Sequence, residues 1–174
     1  MPTPTQIQFA RAIYNAAKQA TDIAPEFVTA QAIIESGWGK SRVGRFNIFG
    51  ITKGTKWTGK TVLVLTHEYF PTPHRTFTPP ERVVSIAKTK TPNRWYYTVY
   101  RLFKDFDSLQ QCLAEHTRLL QKPGFADAWP HRHNPTEFAQ RICDAQGARY
   151  ATSPTYLTQL LILIQTVRKI CAQK

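Results

Sequence analysis

Glu35 is the residue in this chain whose surroundings most favour acid chemistry. It is the last but one residue of the run PEFVTAQAIIES, and Val28, Gln31 and Ala32 lie seven, four and three residues before it. On a helix those spacings put the carboxyl on a largely apolar face, in the last turn before Gly37 and Gly39. Desolvation disfavours the charged form and the negative end of the helix dipole does the same, so the position predicts a raised pKa and a general acid. The competing reading on position alone is an exposed glutamate at a frayed helix end. Other reactive groups do not assemble. His131 and His133 form a His-x-His pair and His67 adjoins Glu68, but no third ligand stands at zinc-site spacing, so no metal and no cofactor are expected. There is no Gly-x-Ser-x-Gly elbow and no phosphate-binding glycine loop. Cys112, Cys143 and Cys171 are odd in number and fall on apolar helical positions, which predicts buried thiols rather than a nucleophile, a zinc site or a disulfide framework.

The elements that must position Glu35 are helical at both ends of the chain and extended in the middle. Ile7, Ala10, Ile13, Tyr14 and Ala17 make one apolar stripe, and a second helix begins with Pro25 in its first turn. TVLVLTHEYF and RWYYTVYRLF read as paired strands joined by a long, Pro-rich, basic tip over 71–94. Helical period returns at Asp107 or Ser108, with Leu109, Cys112, Leu113, His116 and Leu120 on one face, and Asn134-Pro135 and Ser153-Pro154 read as starts of two more helices. No repeat or linker divides the chain. The expectation is one mostly α, α+β domain over 1–174, a helical lobe with a β-hairpin lobe at about 50–104.

At 174 residues, with 42% hydrophobic and 20% charged, the chain can build a core without disulfide or metal staples. Disordered, collagenous and disulfide-scaffold classes are excluded. The longest aliphatic run, Leu160 to Ile164, is too short to span a bilayer, and the first residues lack an apolar signal region. Charge is concentrated: residues 38–104 hold 13 Lys or Arg against 2 acids, in a chain of net charge +12. A block of this kind points to an anionic partner or to a solubilising face.

The text around Glu35 adds a resemblance. AQAIIESGWGKS, then FNIFGITKG, then WTGKTVLVLTHEYF, and later ARYATSPTYLTQL, resemble the bacterial N-acetylglucosaminidases of the flagellar rod-associated and autolysin type, the glycoside hydrolase 73 family, over roughly Pro25 to Leu160. The resemblance implies a lysozyme-like fold, a groove between the two lobes, and endo-cleavage of peptidoglycan between N-acetylglucosamine and N-acetylmuramic acid. Carried onto this chain, it implies that Glu35 is the general acid, that Glu68 is the second acidic position, and that Tyr150 stands beside the catalytic centre. Ser36, Asn47, Phe49, Trp57 and Tyr156 are the implied substrate-binding positions, with core or lobe packing the alternative for Phe49, Trp57 and Tyr156. Ser153 departs from the family's usual aspartate; a cap role survives that exchange and a role needing negative charge does not. The basic stretch 71–94 is longer than the family's hairpin turn. The expected partner is the glycan strand of peptidoglycan, with no nucleic acid, no membrane span and a monomeric chain. The expected place of action is the bacterial cell wall, periplasmic or extracellular, reached through a holin, a secretion system or a leader since removed. The alternatives are a lytic transglycosylase and, in a different class, a noncatalytic basic module that binds nucleic acid or cell wall.

Overall fold

The computed structural model describes residues 1–145 and 155–172. Helix α2 (Pro25–Ser36) is its centre, packed against α1 (Pro4–Ala20) and α5 (Tyr156–Ala172). Every residue from Phe27 to Ile33 is buried, which is why this helix reads as apolar on more than one face. Helix α1 begins with a capping box between Thr3 and Gln6 and buries Ala10, Ile13 and Ala17, three residues of the expected stripe. Helices α3 (Leu109–Leu120) and α4 (Pro135–Asp144) close the core, capped by the side chains of Ser108 and Asn134. The start at Ser153-Pro154 lies outside the described residues. The core gathers Phe27, Leu113, Leu120, Phe138, Ile142 and Leu160 from α2 to α5. Among the described residues no helix is long and apolar enough to cross a membrane.

The thiols divide. Cys112 is buried and desolvation pushes its pKa up to about 12, whereas Cys143 and Cys171 are only half-buried, at the margins of α4 and α5, which corrects the expectation that all three are buried.

Strands β1 (Thr61–Phe70) and β3 (Trp95–Lys104) pair antiparallel, with Glu68 opposite Tyr97 and Val64 opposite Arg101. The stretch between them is a folded layer instead of a free tip. A third strand, β2 (Arg82–Lys88), adds to the far edge of β3, so the sheet order is β1-β3-β2. The segment before β2 folds back over the sheet. Tyr97 is fully buried, and its hydroxyl donates to the Thr72 carbonyl at 2.8 Å while accepting from the Arg75 amide at 3.2 Å. Phe77 packs edge-on against Phe70 at 5.9 Å and Tyr97 at 6.3 Å. A buried phenol needs partners and aromatic rings seek cover, and these needs hold a segment whose prolines and charges read as exposed.

The sheet joins the helical body through a narrow junction. Asn47 is fully buried, and its Nδ2 donates to the carbonyls of Ile51 at 2.9 Å and Lys104 at 2.8 Å, while its Oδ1 accepts from the Ile51 amide at 2.9 Å. One side chain thus ties the segment that leads towards β1 to the end of β3.

Candidate active site

The end of α2 is shaped by the residues that follow Glu35. Gly37 adopts φ 54 and Trp38 φ 63, so the chain turns sharply in the left-handed region. Gly39, at φ 78, lies against the Phe9 ring, where a Cβ would come within 2.6 Å of Cε2. Ser36 is buried; its hydroxyl donates to the Ala32 carbonyl at 2.5 Å and accepts from the Gly39 amide at 2.8 Å. Its hydrogen-bonding capacity goes into the helix end that carries Glu35.

Glu35 reaches solvent, yet the surrounding protein displaces much of the bulk water. Desolvation raises its pKa, and a hydrogen bond from Tyr156 pulls it partly back. The Tyr156 hydroxyl donates to Glu35 Oε1 at 3.0 Å, and the hydroxyl oxygen accepts from Gln31 Nε2 at 3.0 Å. Gln31 Oε1 is 2.8 Å from His116 Nε2. Gln31 and His116 are both buried, and burial lowers the imidazole pKa to about 3, so the ring is neutral. A neutral imidazole has one N–H, and Gln31 Nε2 already donates to Tyr156; Gln31 Oε1 therefore accepts and His116 Nε2 carries the proton. Among the described residues Nδ1 of His116 has no hydrogen-bond partner. The chain of bonds runs in one direction, from His116 through Gln31 and Tyr156 to Oε1 of Glu35. It ends on Oε1 and does not engage Oε2.

Phe49 is buried and stacks on His116 with ring centroids 3.9 Å apart, so it roofs the relay. Asn47 spends its amide on the junction backbone. Ser36, Asn47 and Phe49, expected as substrate-binding positions, are all buried, the two polar side chains bonded within the fold and Phe49 packed on His116. Trp57 is half-buried, with Nε1 donating to the Lys60 carbonyl at 2.9 Å, its ring against Phe106 and Lys104 Nζ 4.6 Å from the ring centroid. It lines a cleft of about 920 Å³ with Lys53, Lys56, Arg118 and Lys122, whose walls include neither Glu35 nor Glu68. Tyr150 lies outside the described residues.

Glu68 lies on β1, half-buried, with Oε2 accepting from Arg101 Nη1 at 2.7 Å. Desolvation raises its pKa against the opposing pull of Arg101 and Arg75, and the Glu81 charge adds to the rise. Glu81 in turn accepts from Arg101 Nε at 3.0 Å and from the Leu102 amide at 2.8 Å. Phe77 covers the guanidinium, 5.1 Å from its ring centroid. The stretch 71–94 thus supplies the residues that hold Glu68's counter-ion. The sequence assigns no site role to Gln31, His116, Arg101 or Glu81. The available signal was a glutamine and a histidine on otherwise apolar helix stripes, a pattern that buried polar groups leave when they bond one another.

The two histidines of the His-x-His pair face different partners: His131 Nδ1 is 2.8 Å from Glu137, and His133 Nε2 is 3.7 Å from Asp22.

Comparison with known proteins places this geometry in context. The family model described as mannosyl-glycoprotein endo-beta-N-acetylglucosaminidase matches residues 11–169. The peptidoglycan hydrolase FlgJ of Pseudomonas aeruginosa is 28% identical over 156 residues, covering 84% of this chain and 33% of that protein. A probable N-acetylmuramidase of Lactococcus lactis subsp. cremoris is 32% identical over 160 residues, covering 85% of this chain and 30% of that protein. The chain therefore spans about a third of the length of these curated relatives. Among solved structures, the glycoside hydrolase domain of Salmonella typhimurium FlgJ superposes with a TM-score of 0.66 at 20% identity, covering 94% of this chain and 98% of that one. The catalytic domain of the autolysin Auto from Listeria monocytogenes gives a TM-score of 0.66 at 24% identity, over 98% of this chain and 89% of that one. The lysozyme-like α+β fold is shared across these domains.

Proposed function

Because the chain belongs to the glucosaminidase family, we propose that it hydrolyses the β-1,4 bond between N-acetylglucosamine and N-acetylmuramic acid in peptidoglycan, acting at the bacterial cell wall. The observation that carries this reading is Glu35 itself, a desolvated carboxyl whose Oε1 is engaged by Tyr156. Such a group keeps its proton on Oε2 and delivers it to the leaving glycosidic oxygen. Glu68 supplies the second carboxylate. With Oε2 held by Arg101, its other oxygen is available to activate water or to stabilise positive charge at the anomeric carbon. The relatives, a peptidoglycan hydrolase, a probable N-acetylmuramidase and an autolysin, support the polymer, and the resemblance carried by ESGWG and THEYF supports the choice of bond.

Mass spectrometry of digested sacculi tests the reading. New reducing ends should be N-acetylglucosamine; N-acetylmuramic acid ends would make the enzyme a muramidase, and anhydro ends a transglycosylase. Glu35→Gln keeps the shape and removes the acid, so turnover should fall at least ~100-fold. A folded variant that retained more than a tenth of the rate would remove Glu35 from the acid role.

A further inference from the structure

The sheet has two faces of opposite character. Strand parity puts Glu68, Tyr97, Val99 and Arg101 on one face, which the segment carrying Thr72 and Phe77 folds over. The other face carries Leu65, His67 and Tyr69 of β1, Arg82 of β2, and Tyr96 and Tyr100 of β3. Leu65 is 47% and Tyr69 52% exposed. The rings form a continuous platform: His67 stacks on Tyr96 at 5.2 Å, and Tyr96 meets Tyr69 at 5.2 Å. Two guanidiniums complete it, Arg94 at 4.0 Å over Tyr69 and Arg82 at 4.0 Å over Tyr100. The three strands contain one acid, Glu68, and it lies on the opposite face. This platform therefore combines exposed aromatic surface with positive charge and carries no carboxylate.

That combination selects its ligand chemically. Contiguous exposed aromatic surface marks an interaction site more than a solubilising one. Sugar rings offer flat apolar faces to such rings, while a guanidinium stacked on tyrosine keeps N–H groups free to grip a carboxylate in a forked geometry. Resting on the function proposed above, we propose that this outer face binds a second stretch of the peptidoglycan strand, laying sugar rings along the exposed edges of the Tyr69–Tyr96 row and stem-peptide carboxylates on Arg82 and Arg94. Phosphates and bases would satisfy some of the same contacts. The acidic glycan is favoured because the platform lies on the reverse of the sheet that carries Glu68, so a polymer held there stays beside the bond-cleaving groups while the groove is vacant. Capture and cleavage then occupy different sides of one sheet.

The experiment is sedimentation of the protein with purified sacculi, in a Glu35→Gln background so that the polymer is not consumed. Tyr69→Ser with Tyr96→Ser should weaken binding about tenfold, the usual scale for loss of aromatic anchors at an interface, while Tyr69→Phe with Tyr96→Phe should retain it. Arg82→Gln with Arg94→Gln should also weaken binding and flatten its dependence on salt. The same substitutions made with Glu35 intact should leave turnover of a short soluble glycan unchanged. Sacculus binding that survives the serine pair overturns the proposal. So does loss of short-glycan turnover in a variant with wild-type circular dichroism and melting, because the face would then belong to the groove. So does tighter binding to single-stranded nucleic acid than to sacculi that depends on the same tyrosines. Failure of the underlying function is read separately, as wild-type protein that leaves sacculi uncleaved.

Discussion

At Glu35 two opposed effects set how readily the proton leaves. Desolvation holds it on, and the Tyr156 hydroxyl, by bonding Oε1, steadies the carboxylate that remains. The hydroxyl has one proton to give, and Gln31 Nε2 occupies its acceptor side, so that proton is directed at Glu35. Tyr156→Phe removes this hydrogen bond without opening a large cavity. The pKa of Glu35 should then rise further, so the alkaline limb of the pH–rate profile on a soluble glycan should move to higher pH while the maximal rate falls. If that limb does not move, Tyr156 acts on something other than the ionisation of Glu35. Replacing His116 with leucine should shift the limb in the same direction through Gln31, and replacing it with glutamine, which restores an N–H at a comparable reach, should shift it less.

Among the elements, the stretch 71–94 departs most from its sequence signal. Its prolines and its arginines and lysines predict a long basic tip, yet it carries a strand and the residues that hold Arg101 against Glu68. Glu81→Ala would remove the second partner of Arg101 and leave the guanidinium to move. If Glu68 takes part in the chemistry, kcat should fall about tenfold with KM nearly constant, because a displaced catalytic group costs transition-state stabilisation more than ground-state binding. Steady-state kinetics on soluble peptidoglycan fragments would show this, and an unchanged kcat would detach the stretch from catalysis. Helices α1 to α4 were legible because their caps and apolar stripes are local signals, as were strands β1 and β3 through their alternating residues. Strand β2 was not, because RVVSIAK is exposed throughout and gains its place by edge pairing with β3, a contact about a dozen residues away in sequence. Glu35 was legible from its helix face only together with the ESGWG text around it. The relay behind it was not, since Gln31, His116 and Tyr156 come from three helices and only the fold brings them together.

For the whole molecule, the same buried histidine couples the site to stability. The helical core closes around His116, and burial depresses its pKa from 6.5 to about 3. The sign follows from proton binding: between those values the unfolded chain takes up a proton that the folded chain refuses. The stability from this group is therefore complete above pH 6.5 and is lost as pH falls towards 3, by up to about 1.4 kcal/mol per pH unit. Glu35 and Glu68 act with the opposite sign, since a raised carboxyl pKa makes folding more favourable as pH falls through it. Glu115 adds to the acid loss at lower pH: burial raises its pKa, but Lys104 and Arg118 outweigh that and hold it below the ordinary carboxylate range. Thermal melting followed from pH 7.5 down to pH 5 should thus show a falling Tm for the wild-type chain, at roughly 2–4 °C per kcal/mol for a protein of this size. His116→Gln cannot titrate, so its Tm should change much less over that window, even if the loss of stacking on Phe49 lowers it at every pH. Glu35→Gln should melt higher than wild type at neutral pH and fall more steeply in acid, because it lacks the group that gains from protonation. Parallel curves for wild type and His116→Gln would mean that the imidazole is not what makes the core sensitive to acid.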